Sequence, residues 1–144
     1  MIVLDVNILL YAYDATSPLH DRARSWLEGV FSGAEPIGLP WQTIGAFLRI
    51  VTNPRLARHV TPQEAGIVID SWLEHPLVVV LTPGDYHWPL LRQMVIEGQA
   101  AGPLVTDAQL AALAIENGGV LYSADRDFAR FPGLRWINPL AEAL

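Results

Sequence analysis

Three aspartates occupy positions at which parallel strands of a sheet would end. Asp5 follows the apolar run 2–4, Asp125 comes shortly after the run 120–122, and Asp107 falls in the first turn of the helix predicted before that second run. Binding sites in open parallel sheets form outside the carboxyl ends of the strands, so we expect these side chains to meet at one edge. Carboxylates that close together need compensation for their like charges. Mg²⁺ or Mn²⁺ suits such oxygen ligands, so the sequence indicates a divalent-metal site.

Each of these acidic residues also has an ordinary structural role open to it. Asp107 would complement the dipole of its helix without any metal, a contribution of about 0.3–1 kcal/mol. Asp127 is compatible with a simple turn or a helix cap. Asp5 is harder to explain in this way, because an unpaired carboxylate directly after a buried strand is costly. The pattern alone leaves the metal site and the structural roles as alternatives.

Short apolar runs alternate with helical periodicities along the chain. Strands are predicted at residues 2–4, 77–81, 120–122 and 134–137, and the continuous apolar run 77–81 favours a strand covered on both faces. Apolar spacing predicts helices over 19–31, 44–51 and 86–97, and a capping box of Thr61 and Glu64 opens another. Residues 38–40 are expected to form a loop or a strand end. Thr106 is expected to cap a helix over 107–117 after a loop at 98–103.

Strands that are separated by helices imply crossover connections and a parallel sheet. We therefore expect an α/β fold in which a parallel sheet of four or five strands carries helices on both faces. A chain of 144 residues with 51% hydrophobic residues fits a single domain over residues 1–144. Neither a signal peptide nor a membrane span is recognisable, which predicts a soluble, cytoplasmic protein.

The charge balance bears on what the site could bind. A net charge of −6 argues against nucleic-acid binding, unless divalent cations among the carboxylates reverse the local field. All nine basic residues are arginines, which bind phosphate oxygens in a bidentate way, although a compositional bias explains this equally well. Arg126, next to Asp125, and Arg49, in the densest positive segment, are the cations we expect to contact phosphates, with solvated helix faces as the alternative. The four histidines show no mutual spacing that indicates catalysis.

Three segments resemble the acidic motifs of PIN domains, in the right order and at the right spacing. They are residues 2–9 around Asp5, residues 106–114 around Asp107, and residues 121–128 around Asp125 and Asp127. A fourth segment, residues 47–54, resembles a stretch that is common in VapC-type toxins. The likeness spans essentially the whole chain, and the ordered set is more specific than any one motif.

This resemblance implies a PIN-like fold and a ribonuclease toxin of a VapBC toxin–antitoxin system. Such toxins use Mg²⁺ or Mn²⁺ to hydrolyse structured RNA, often tRNA or rRNA, are inhibited by a cognate VapB antitoxin, and are usually homodimers. By resemblance, Asp5 and Asp107 would be the main metal ligands, Asp125 would support them, and Asp127 would assist. Asn7 and Ser123 match polar positions that orient a ligand or a water.

One position departs from the family pattern. The family typically carries a glutamate on the helix after the second strand, and Ala46 takes that place here. A water or Gln42 is the candidate to fill the gap, and weaker metal binding is expected. The alternative function is therefore a catalytically weak or degenerate PIN-fold interaction module. A receiver-like phosphotransfer domain is disfavoured, because the chain has no lysine to act as the usual strand-end counterion.

Overall fold

The computed structural model describes residues 1–142 and contains one parallel sheet with helices around it. The strands are β1 (Ile2–Leu4), β2 (Ile37–Pro40), β3 (Val78–Leu81), β4 (Val120–Tyr122) and β5 (Trp136–Ile137). The helices are α1 (Val6–Tyr13), α2 (His20–Phe31), α3 (Trp41–Val51), α4 (Pro62–Leu73), α5 (His87–Glu97) and α6 (Leu104–Glu116). A short 3₁₀ helix, Arg126–Arg130, lies between β4 and β5.

The five strands run in the order β3-β2-β1-β4-β5, and every neighbouring pair is parallel. β1 therefore lies at the centre, between β2 and β4, so that the carboxyl ends of β1 and β4 are adjacent. Leu4, the last residue of β1, is in register with Tyr122, the last residue of β4. The predicted parallel sheet of four or five strands is confirmed. Its topology brings the segments after β1 and β4 to one edge.

Alternating side chains of β1 separate the two faces of the sheet. Val3 belongs to a core cluster that contains Met94 of α5, several residues of α6, and Phe128. Ile2 and Leu4 belong to a second cluster, which is built with residues of α2, α3 and α4. This division follows from the two-residue period of a strand, which places successive side chains on opposite faces. Helices thus cover both faces of the sheet, as predicted.

β2 and β3 depart from the sequence predictions. Residues 38–40 belong to β2, whose residues are all buried, so the expected loop there is wrong and only the strand end is correct. Gly38 suits this strand because a Cβ would lie 2.8 Å from Leu81 Cδ1 and 2.9 Å from Met1 Sδ. β3 is an edge strand with Val79 45% exposed, so the expectation of a strand covered on both faces is also wrong.

Three helix boundaries carry the argument about the site. α1 was not predicted, and it begins directly after Asp5, which is its N-cap. α6 begins at Leu104 with Pro103 as the N-cap, so the prediction that Thr106 caps this helix is wrong, although Asp107 remains in the first turn. The predicted capping box of α4 is present, with reciprocal bonds between Thr61 and Glu64. None of the helices within residues 1–142 has the length and apolar character needed to cross a membrane.

Candidate functional site

Asp5 is held at the carboxyl end of β1 by hydrogen bonds to both of its carboxylate oxygens. Its Oδ1 accepts from the backbone N–H of Val6 at 2.7 Å, which is the capping bond of α1. Its Oδ2 accepts from the hydroxyl of Ser123 at 2.7 Å and from the side-chain amide of Asn7 at 3.2 Å. These three donors offset part of the cost of placing a carboxylate next to a buried strand.

Ser123 links the two strands that form the site. Its side chain is fully buried, and its hydroxyl also accepts from Asn7 Nδ2 at 3.0 Å and from the backbone N–H of Asp125 at 3.0 Å. Asn7 completes the connection, since its Oδ1 accepts from the backbone N–H of Ala124 at 3.2 Å. The segment after β4 is therefore fixed to the segment after β1 by side-chain hydrogen bonds. The supporting positions predicted for Asn7 and Ser123 are consistent with this network.

Three carboxylates lie close together next to this network. Asp107, Asp125 and Asp127 each offer an oxygen atom, and these atoms all lie within 4.8 Å of one another. Asp125 caps the 3₁₀ helix, and its Oδ1 accepts from the backbone N–H of Asp127 at 2.9 Å. We refer to Asp107, Asp125 and Asp127 as the acidic group. Asp107 thus meets, at the sheet edge, two carboxylates that lie 18 and 20 positions further along the sequence.

The arrangement differs in one respect from what the resemblance implied. Asp127, expected only to assist, is a member of the acidic group, whereas Asp5 is not. Asp5 nevertheless lies close enough for its charge to affect Asp107. Asp5, Asp107, Asp125 and Asp127 therefore lie near one another at one edge of the sheet, with Asp5 outside the tightest cluster.

Burial and neighbouring carboxylates both disfavour the charged form of the aspartates at this site. Burial, together with the charges of Asp125, Asp5 and Asp127, raises the pKa of Asp107 from 3.8 to about 6, and the nearby Arg130 opposes this rise. Burial also raises the pKa of Asp5, against the lowering effect of its hydrogen bonds from Ser123 and Val6. Carboxylates that repel one another in this way favour either a bound proton or a bound cation.

A hydrogen bond joins the first turn of α3 to the first turn of α6. The side-chain amide of Gln42 donates to the backbone carbonyl of Thr106 at 3.3 Å, next to Asp107. Gln42 therefore lies beside the site, whereas Ala46 carries no polar group to replace the usual glutamate. The place of Gln42 could not be deduced from spacing, because it depends on how two helices distant in sequence pack together.

The predicted basic residues lie at different distances from the acidic group. Arg126 is exposed and immediately follows Asp125. Arg49 is exposed in the last turn of α3, seven residues after Gln42 and so roughly 10 Å further along the helix. Arg130 donates to the backbone carbonyls of Gly98 and Gln99, which holds its charge near Asp107.

The four histidines make local contacts elsewhere in the structure. A ring nitrogen of each of three lies within hydrogen-bond distance of a backbone carbonyl: His20 with Tyr11, His59 with Leu56, and His75 with Phe31. His87 lies 3.4 Å from Glu116, at the end of α6 that is remote from Asp107. These contacts agree with the packing and surface roles expected from the sequence.

Comparison with known proteins gives the family. A family model of the PIN domain matches residues 2–134. Ribonuclease VapC43 of Mycobacterium tuberculosis is 43% identical over 141 residues, which cover 97% of this chain and 96% of that protein. Ribonuclease VapC37 of the same organism is 39% identical, with 98% and 99% of the two chains covered. The chain therefore belongs to the PIN domain family.

A solved structure agrees at the level of the fold. A toxin–antitoxin complex from Klebsiella pneumoniae contains a chain that matches with a TM-score of 0.68 and 15% sequence identity, and the match covers 96% of this chain and 98% of that one. At this identity the match shows a shared fold only. It agrees with the parallel sheet and flanking helices described above.

Proposed function

We propose that this protein is a divalent-metal-dependent endoribonuclease toxin that hydrolyses phosphodiester bonds of structured RNA such as tRNA or rRNA. The observation that carries the proposal is the acidic group, in which three carboxylate oxygens lie within 4.8 Å of one another. The two relatives described above support the type of reaction, since both are named ribonucleases. The protein would act as a single PIN domain over residues 1–144.

The donor set of the acidic group fits Mg²⁺ or Mn²⁺. Its ligand atoms are hard carboxylate oxygens, and the chain has no cysteine, so a softer thiolate site is excluded. Asp107, Asp125 and Asp127 would hold the ion, and Asp5 would add its charge and one free lone-pair position. When bound, a divalent ion lowers the pKa of a coordinated water and neutralises charge that develops on phosphate oxygens.

The side chains around the acidic group position the reactants. Ser123 and Asn7 fix the orientation of the Asp5 carboxylate, so that it does not reorganise when RNA binds. Among the described residues, no hydrogen-bond donor is bound to the carboxylate of Asp107, which leaves its oxygens available to a ligand. Arg126 is placed to bind a phosphate oxygen next to Asp125, and Arg49 to contact the RNA backbone further along α3.

The partners follow from the same family likeness. We propose that a cognate VapB-type antitoxin neutralises the toxin, as the similarity to a chain of a toxin–antitoxin complex suggests. A homodimer is also expected from the resemblance to VapC-type toxins, and light scattering should then give twice the chain mass of 15.9 kDa. An RNA substrate such as tRNA or rRNA would place the protein in the cytoplasm.

A metal titration combined with an RNA cleavage assay tests the proposal. Cleavage should require Mg²⁺ or Mn²⁺ and should be lost in Asp107→Asn and Asp5→Asn, because each change removes charge that the ion needs. Asp70→Asn is the matched control, since Asp70 is an exposed carboxylate on α4 outside the acidic group. Full activity in Asp107→Asn, with circular dichroism showing a folded protein, would refute the assignment.

The position of Ala46 supports one alternative, a weak or degenerate interaction module with the same fold. In that case the protein would bind its partner but would not cut RNA at any metal concentration. Restoring the usual residue with Ala46→Glu distinguishes the two cases. An active enzyme that lacks one ligand should gain metal affinity from this change, whereas an interaction module should gain neither cleavage nor partner binding.

A further inference from the structure

The five tryptophans fall into a packed set and an exposed set. Three have contacts that explain them: Trp26 packs on Tyr122, Trp72 packs on Phe47, and Trp136 donates its indole N–H to Ser123. Trp41 and Trp88 are instead 55% and 65% exposed. A large aromatic side chain stabilises the fold little when most of its surface stays in water. Packing within the protein therefore does not account for a tryptophan at position 41.

Trp41 lies at the same sheet edge as the acidic group. It is the first residue of α3 and directly follows the carboxyl end of β2, next to the central strand that ends at Asp5. The neighbouring Gln42 is hydrogen-bonded to the carbonyl of Thr106, one residue before Asp107. Trp41 therefore begins α3 at this sheet edge, next to a residue that is bonded to the turn of α6 carrying Asp107.

The surface next to Trp41 is open. Gly45, one helical turn further along α3, is exposed, and a Cβ built there would meet no atom within 4 Å. A flat group that lies on the indole therefore has free space along this side of the helix.

The chemistry of this position fits a nucleobase. Single-stranded RNA is held largely by stacking of its bases on aromatic side chains, which tolerates any base because each has a π-face. Stacking on a neutral ring adds binding that needs no positive charge, which matters in a protein with a net charge of −6 and nine basic residues. We propose that Trp41 is a positioning residue that stacks on an unpaired base next to the scissile phosphate, which rests on the ribonuclease function proposed above.

The test measures the affinity of a fluorescein-labelled, single-stranded 12-nucleotide RNA and of an abasic strand of equal length. The measurements are made with Mg²⁺ in the Asp107→Asn background, so that the RNA stays intact. Trp41→Ala should weaken binding of the normal strand roughly 5- to 150-fold, the range for loss of one stacked base. Binding of the abasic strand should not change. Trp41→Phe should restore much of the loss, because it keeps an aromatic face.

Trp88→Ala is the matched control. Trp88 is comparably exposed but follows His87, whose ring contacts Glu116 at the far end of α6, roughly 14 Å along the helix from Asp107. This variant should bind both strands like the parent. The salt dependence of binding should also be the same for Trp41→Ala and the parent, because the indole carries no charge.

Three outcomes would overturn the proposal. Equal loss of affinity for the normal and abasic strands would show that Trp41→Ala disturbs the RNA site without removing a stacked base. An unchanged affinity for the normal strand would show that Trp41 does not touch the RNA. Conversion of a dimeric parent into a monomer by Trp41→Ala, measured by light scattering, would assign the indole to a contact between two copies.

The cleavage assay separates this proposal from the proposed function. A parent protein that cuts RNA while Trp41→Ala binds it normally would remove the stacking role and leave the ribonuclease. A parent protein that binds RNA through Trp41 but cuts none would keep the stacking role and remove the ribonuclease function.

Discussion

Replacing Asp107 with asparagine should stabilise the metal-free protein, and the gain should depend on pH. The pKa of Asp107 is raised from 3.8 to about 6, so the folded state holds a proton more tightly than the unfolded state does. This proton contributes stability below pH 3.8, and the contribution is lost as the pH rises through about 6. Above that pH the folded protein carries a repelled carboxylate, and Asp107→Asn removes it.

The expected gain in the free energy of unfolding follows from the rise in the pKa of Asp107. A rise of about two pKa units corresponds to about 3 kcal/mol if it is fully expressed. Because Asp107 is only half-buried, solvent screening reduces this to about 1 kcal/mol. In EDTA, urea unfolding should therefore show Asp107→Asn to be more stable than the parent by about 1 kcal/mol at pH 7.5, and by much less at pH 4.

Addition of Mg²⁺ should make the parent more stable than Asp107→Asn. The ion binds the folded parent and stabilises it by mass action, whereas the variant lacks a ligand and should respond less. Asp70→Asn should differ little from the parent at either pH, since it lies outside the acidic group. Equal stability of Asp107→Asn and the parent at both pH values, or a variant that is less stable at pH 7.5, would refute the electrostatic reasoning.

Two further predictions concern the framework of the site. Ser123→Ala leaves the partly buried Asp5 carboxylate without its shortest side-chain donor and should cost about 1–3 kcal/mol in urea unfolding, with loss of cleavage beyond what the unfolded fraction explains. A stability equal to that of the parent would contradict this network. Gly119→Ala would place a Cβ 2.6 Å from Val3 Cγ2 and should destabilise by about 1–3 kcal/mol, whereas Gly66→Ala on α4 meets nothing within 4 Å and should stabilise by up to about 1 kcal/mol. A Gly119→Ala variant at least as stable as the parent would show that this contact does not matter.

Part of the site could be predicted because an aspartate that follows a strand of a parallel sheet must lie at the carboxyl edge of that sheet. An apolar run that ends at Asp5 and another followed by Asp125 place both residues at one edge as soon as the strands are parallel. The capping box at Thr61 was predictable for a similar reason, since it needs only a local spacing of three residues.

The remaining features depend on contacts that spacing does not specify. α1 lacks a polar stripe, because Val6–Tyr13 is apolar on most sides, and its start is set by the side chain of Asp5. α6 starts at Leu104, since Gly102 has a positive φ of 57° and Pro103 can begin a helix. The exposure of β3 follows from its place at the sheet edge, which no local pattern encodes.

Asp5 and Asp107, which the resemblance predicts as the two main metal ligands, differ in how many of their oxygen lone pairs are free. A carboxylate accepts about four hydrogen bonds, and Asp5 already accepts three, from Val6, Asn7 and Ser123. Asp107 accepts none among the described residues, and burial together with the neighbouring carboxylates raises its pKa. Asp5 therefore combines a structural role, as cap of α1 and partner of Ser123, with its charge at the site. Asp107 contributes little to the fold, so it is the residue whose replacement tests the chemistry most directly.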